Sequence, residues 1–143
     1  MSALPDGYEL TEDRARIDPV AAHAYLTRSY WSPGIALERV RQAIDNSFSI
    51  AVLHDGEQVA LARIVSDFTT FAYLADVYVL EEHRGHGIAS AMLEYLRAHP
   101  RLQGLRRWLL FTKDAQELYA KAGWAQYPNP ERVMVRSDAE GFV

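Results

Sequence analysis

The sequence predicts a mixed α/β fold, with one mixed sheet of about six or seven strands and helices on both faces. Three observations carry this. Strand-like and helix-like segments alternate along 143 residues, a length that favours a single domain over residues 1–143. Two early strands are joined by Asp55-Gly56, the strongest short hairpin signal. A long apolar strand over residues 72–80 then runs through a glycine turn into a helix, which places a right-handed crossover beside the hairpin.

Each element has its own warrant. Residues 8–10 read as a short first strand. Asp18-Pro19 opens a helix, with Asp as N-cap and Pro at the first helical position. Val20, Ala21, Ala24 and Tyr25 carry that helix to about Ser29. Ser32-Pro33-Gly34 breaks the chain. Leu37, Val40, Ala43 and Ile44 recur at helical spacing, with Glu38, Arg39, Arg41 and Gln42 on the opposite side, so a second helix follows. Residues 48–54 and 58–65 are the hairpin strands. Only Asp76 interrupts the strand at 72–80, which is therefore expected in the sheet centre, covered on both faces. A helix over 87–99 is stopped by Pro100. Residues 108–112 read as a buried strand, 114–122 as a helix closed by Gly123, and 124–127 with 132–136 as two last strands around Pro128-Asn129-Pro130.

Composition excludes several function classes. Fifteen basic residues against nineteen acidic ones give a net charge of −4, so a chain-wide footprint for nucleic acid is missing. The one dense basic cluster, Arg101, Arg106 and Arg107, reads either as a solvated connection or as a patch for an anionic ligand. No apolar run is long enough to span a bilayer. Residues 1–6 carry neither a basic nor an apolar signal region, so no signal peptide is expected. Without cysteine there is no disulfide, thiolate zinc site or cysteine nucleophile, and the expected location is a reducing cytoplasm. His54 and His86 read as solvent-facing turn residues, His23 and His99 lie in helices, and no two histidines show metal-ligand spacing.

The chemistry concentrates at Arg84-Gly85-His86-Gly87-Ile88-Ala89-Ser90. Glycines let the backbone turn tightly and approach a ligand. The first N–H groups of the following helix lack intrahelical partners, and with the helix dipole they form an anion site suited to a diphosphate. Arg84 adds a charge-assisted contact. Ser90 stands where a dinucleotide fingerprint has its third glycine, and no Gly-Lys-Ser/Thr of a Walker loop occurs. A plain strand-to-helix turn is the alternative reading of the two glycines.

Arg84-x-x-Gly87-x-Ala89 resembles the R/Q-x-x-G-x-G/A motif of the GNAT acetyltransferase superfamily. The strand Leu74-Ala-Asp-Val-Tyr-Val79 before it and Leu118-Tyr-Ala-Lys-Ala-Gly-Trp124 after it, similar to the family's L-Y-x-x-x-G-F segment, complete the likeness. The resemblance implies a direct transfer of acetyl from acetyl-CoA to a primary amine of a small molecule, without metal. A non-catalytic acyl-CoA sensor and a peptide-amine acetyltransferase remain alternatives. It implies that acetyl-CoA lies between the strand ending at Leu80 and its parallel neighbour. Val77, Tyr78 and Val79 would pair with the pantetheine arm, and Arg84, Gly85, His86, Gly87, Ile88, Ala89 and Ser90 would hold the diphosphate. Thr112 stands where many members carry a cofactor-contacting Asn.

The resemblance also implies roles in catalysis. Tyr119 matches the family's general acid to the sulfur. Polyamine acetylases of the superfamily have a Glu-Asp pair where this chain has Ala75-Asp76. Asp76 is read as base or water relay, or as a structural acid; because adjacent strand residues face opposite ways, it is not expected to replace residue 75. The acceptor wall in this fold falls on residues 27–34, which places Tyr30 and Trp31 at a binding lip, with Arg63, Asp67 and Phe68 facing the same cavity and Tyr127 closing it. A homodimer is a further expectation of the resemblance; nucleic acid and membrane are not expected as partners.

Overall fold

The computed structural model describes residues 3–138. The chain divides into two compact units, residues 1–112 and 113–143. The first unit carries the sheet. Its elements are β1 (Tyr8–Thr11), α1 (Pro19–Leu26), α2 (Leu37–Asp45), β2 (Phe48–His54), β3 (Glu57–Ser66), β4 (Phe71–Val79), α3 (Ile88–Ala98) and β5 (Arg107–Leu109). The order in the sheet is β1-β2-β3-β4-β5, antiparallel up to β4 and parallel between β4 and β5. The expected mixed sheet flanked by helices is therefore present.

The helices sort by face. Ala51, Leu61 and Tyr78 are cross-strand partners and bury together with Ile17, Ala22, Leu26, Val40 and Ile44, which puts α1 and α2 over one face. The alternate residues Ile50, Ala62, Ile64 and Leu74 are also buried, and α3 presents Ile88, Ala91, Met92, Leu93 and Leu96 to that side. Asp18 caps α1 as its sequence requires, accepting from the N–H groups of Val20 and Ala21 at 2.9 and 3.2 Å. The helix ends at Leu26, earlier than expected, where the Ser29 hydroxyl donates to the Leu26 carbonyl at 2.7 Å.

The second unit holds α4 (Gln116–Lys121) and a 3-10 turn, Pro130–Arg132. The sheet has five strands, not six or seven, among the described residues. The strands expected at 124–127 and 132–136 do not form. Pro128 and Pro130 withdraw backbone donors, and Pro130 opens the 3-10 turn instead. Met134 is 93% exposed between exposed Val133 and Val135, so the alternating pattern of this segment has no packed face.

Candidate active site

The strand and the turn give the site its shape. β5 pairs with β4 only through Phe71, Ala72 and Tyr73, while β4 runs on to Val79. From Leu74 onward the β5 side of β4 has no strand partner among the described residues. The peptide between Val79 and Leu80 sends its N–H to Val59 O on β3 at 2.9 Å, and a trans peptide then points the Val79 carbonyl into the opening.

A bulge lies beside this opening. Leu61 pairs with Tyr78 and Arg63 with Ala75, so Ala62 alone faces both Asp76 and Val77. Asp76 absorbs the extra residue with φ 55, a left-handed conformation that Asp tolerates better than most side chains. The bulge breaks the strict alternation expected from sequence. Asp76 turns toward Arg63, the cross-strand partner of Ala75, so it occupies the face that residue 75 addresses. Each of its carboxylate oxygens has a donor: Arg63 Nε donates to Oδ2 at 2.8 Å and the Trp31 indole Nε1 donates to Oδ1 at 3.0 Å. Both ion-pair partners are mostly buried. Asp76 thereby ties the lip to the sheet.

Trp31 meets Tyr30 edge-on, with ring centroids 5.1 Å apart, and Tyr30 is exposed. Trp31, Arg63 and Asp76 are thus brought together, with Tyr30 beside them. Phe68 is not. It packs edge-on against Phe48 at 6.1 Å and lies under the Arg101 guanidinium at 3.8 Å. Phe48 pairs with Ile64, on the sheet face opposite Arg63. Asp67 spends its carboxylate on its own loop, accepting from the N–H groups of Thr69, Thr70 and Phe71, and these bonds hold its pKa far below the usual carboxylate range.

After β4, a short 3-10 turn leads to Gly85 and Gly87, with φ of 81° and 76°. A Cβ at either glycine would meet nothing within 4 Å, so the conformation, not crowding, demands glycine. Among the described residues no protein group accepts from the N–H groups of Gly85, His86, Gly87, Ile88, Ala89 or Ser90. His86 Nδ1 lies 3.0 Å from the His83 carbonyl and 3.1 Å from that of Arg84, which ties the carbonyls of the bend to one side. Arg84 turns inward: Nε donates to the Val79 carbonyl at 3.0 Å and Nη2 to the Tyr25 hydroxyl at 3.1 Å.

The sequence model of the Acetyltransferase (GNAT) family matches residues 9–124. The chain belongs to that family. A GNAT-family crystal structure from Xanthomonas campestris pv. campestris is 40% identical, covering 98% of this chain and 99% of its own, with a TM-score of 0.91. A structure from Clostridium acetobutylicum that contains acetyl-CoA shares the fold at 19% identity and a TM-score of 0.66, over 90% of this chain and 94% of its own. A protein of Gibberella zeae described as an acetyltransferase is 44% identical over 72 residues, 48% of this chain. That match spans only 40% of the Gibberella protein's length.

Within this GNAT chain, Thr112 ends the first unit, beyond β5. In the second unit Tyr119 lies on α4, its ring 6.1 Å from Trp124, and the Trp124 N–H donates to the Tyr119 carbonyl at 3.0 Å. Gly123 follows the helix with φ 95, the left-handed closure that its position predicts. Among the described residues no group of His, Asp or Glu side chains is arranged to hold a metal ion.

Sequence reasoning missed three residues. Tyr73 shares the Arg63 face, since it pairs with Val65 two positions on, and burial together with the Asp76 charge pushes its hydroxyl pKa up. Tyr25 stacks on Tyr78, with centroids 4.3 Å apart, and anchors Arg84. His83 bonds the Tyr8 hydroxyl at 2.8 Å, fastening the bend to β1. Only the apolar spacing on α1 hinted at Tyr25; Tyr73 needed the strand register, and His83 the contact with Tyr8, 75 positions away.

Proposed function

We propose that this protein is an acetyl-CoA-dependent N-acetyltransferase that acetylates a primary amine of a small molecule by direct attack. The observation that carries the reading is the run of N–H groups from Gly85 to Ser90 without a protein acceptor among the described residues, which follows the stretch of β4 beyond Tyr73 that has no β5 partner. Those residues fit a diphosphate: the donors are preorganised at a helix start, and open space lies where side chains of the glycines would stand. Acetyl-CoA supplies the thioester carbonyl that the amine attacks.

In this reading the chain divides the labour as follows. The backbone of Val77, Tyr78 and Val79 lines the pantetheine arm, and N–H groups there polarise the carbonyl. The bend from Arg84 to Ala89, with the Ser90 hydroxyl, binds the diphosphate, and Thr112 contacts the arm from the β5 side. Tyr119 gives its hydroxyl proton to the leaving sulfur. Tyr30, Trp31 and Arg63 wall the acceptor, and Asp76 positions Arg63. The family match crosses the division at Thr112, which supports one functional domain over the chain. The reading extends to a cytoplasmic homodimer, on the absence of cysteine and the habit of the family.

Thiol release from acetyl-CoA tests it, across amino acids, amino sugars, polyamines and peptides, with calorimetry for coenzyme A binding. The expected result is amine-dependent release, lost in Tyr119→Phe while coenzyme A still binds. Binding without amine-dependent release favours a sensor module. No coenzyme A affinity at all sinks both.

A further inference from the structure

We infer that the acceptor amine also carries an anionic group, a carboxylate or phosphate, read by the outer edge of the Arg63 guanidinium; this rests on the acetyltransferase reading above. A guanidinium has five N–H donors in a fixed fork. Arg63 spends only Nε within the protein, on Asp76 Oδ2. Among the described residues Nη1 and Nη2 have no acceptor, yet neither is sealed away; Ser49 Oγ alone is buried without a partner. The terminal N–H groups therefore reach solvent from a side chain that is itself only 17% exposed.

This is not a freely swinging surface arginine. Asp76 grips its root, and Trp31 Nε1 grips Asp76 in turn. What remains outward is the edge that meets a carboxylate or phosphate through two parallel bonds. The Tyr73 hydroxyl, half-buried on the same face and without a protein partner among the described residues, is a second donor. Trp31 and Tyr30 supply apolar wall.

The same groups disfavour a polycation. Asp76 has both oxygens occupied, residue 75 is Ala, and the Asp67 carboxylate is consumed by its loop. A polyamine meets a guanidinium edge and none of these carboxylates free to receive it. An amine bearing an anion meets two donors. Because Arg63 is bonded directly to the bulge residue, the anion lies close to the strand opening, which fits a small amino acid or an amino sugar phosphate.

Matched acceptors test this: phenylalanine against phenethylamine, glucosamine 6-phosphate against glucosamine, and spermidine. The expected result is that kcat/KM favours the anionic member of a pair by about 10- to 100-fold. The two pairs separate carboxylate from phosphate. Arg63→Gln/Asp76→Asn, which replaces the ion pair by a neutral one, is expected to raise KM for the anionic member about tenfold or more beyond any change for the neutral member, with coenzyme A affinity kept; equal losses on both members overturn the inference. Arg63→Lys falls between. Saturation-transfer NMR on the same pairs with coenzyme A present gives a binding readout that needs no turnover. Equal or better use of neutral amines or spermidine, or no discrimination in binding, overturns the inference while the acetyltransferase stands. Absent coenzyme A binding overturns both.

Discussion

Arg84 folds back onto Val79, its Nε donating to the Val79 carbonyl at 3.0 Å. The motif arginine thus occupies the acceptor that the family resemblance offers to the pantetheine arm, while its Nη2 rests on Tyr25 at 3.1 Å. Charge and strand closure are coupled in one side chain. Arg84→Met is expected to lower stability by about 1 kcal/mol, the size of a typical hydrogen bond. Its coenzyme A Kd is expected to rise about tenfold, because a nearby cation is lost even though the carbonyl is released. Calorimetry at two salt concentrations checks this: affinity in the variant falls less with salt than in the parent. Tyr25→Phe keeps the cation and is expected to change Kd by less than about twofold.

Gly87 separates strain from ligand contact. At φ 76 with open space around it, Gly87→Ala meets no clash and costs about 1–2 kcal/mol of backbone strain alone. Gly104, at φ 73 with equal room, is the control. Both alanine variants are expected to lose similar stability in urea. Only Gly87→Ala weakens coenzyme A, because it reorients the N–H groups at the start of α3.

These two positions also show how far the sequence could be read. The bend, its glycines and the helix behind it were legible because local rules govern them: positive φ, unpaired N–H groups, a strand before and a helix after. The parting of β4 from β5 came from the family likeness. The direction of Arg84 was hidden, since it depends on Tyr25, 59 positions away. The face that Asp76 addresses was hidden for a related reason. Alternation along a strand is a local rule, and a bulge set by pairing with β3 overrides it. Phe68 was misplaced because a loop residue has no period to fix its face. The two last strands failed because alternation without a packed partner does not make a strand.

Asp76 distinguishes positioning from proton transfer. Asp76→Ala leaves a mostly buried Arg63 without its counter-ion and puts Ala at positive φ, so a loss of about 2–4 kcal/mol is expected. Asp76→Asn keeps an oxygen for Arg63 and tolerates the left-handed backbone, and is expected to cost about 1–2 kcal/mol. If Asp76 positions Arg63, the variant keeps the acidic limb of the pH–rate profile, where a general base loses its proton, and loses mainly KM for the amine. Disappearance of that limb, with kcat down by about 100-fold or more, would make Asp76 the base.

The far end of the first unit carries a pH-dependent tie. Tyr95 donates its hydroxyl to Glu12, and His99 Nε2 lies 3.2 Å from Glu12 Oε1. His99 Nδ1 accepts from the Arg101 N–H at 3.1 Å, so the proton of a neutral ring sits on Nε2, facing Glu12. The Tyr95 bond, and secondarily His99, holds the Glu12 pKa below 4.5, against the opposing effect of burial. A depressed folded value means that the stabilisation is present above the unfolded value and is lost as pH falls through the folded one. Glu12 is 43% exposed, so its share is under about 1 kcal/mol. Other carboxylates also titrate on the acid side, so the difference between parent and Glu12→Gln is the measurement that isolates it. In urea unfolding, the two are expected to differ at pH 7 and to converge as pH falls below 4.5. Tyr95 gives the opposite limb. Burial and the Glu12 bond push its pKa up from 10.0 to about 12, so its stabilisation fades as pH rises across that interval. Tyr95→Phe is expected to remove that alkaline loss and also part of the acid one, since both rest on the same bond. A parent and Glu12→Gln that stay equally far apart at every pH would place the contribution of Glu12 outside its charge.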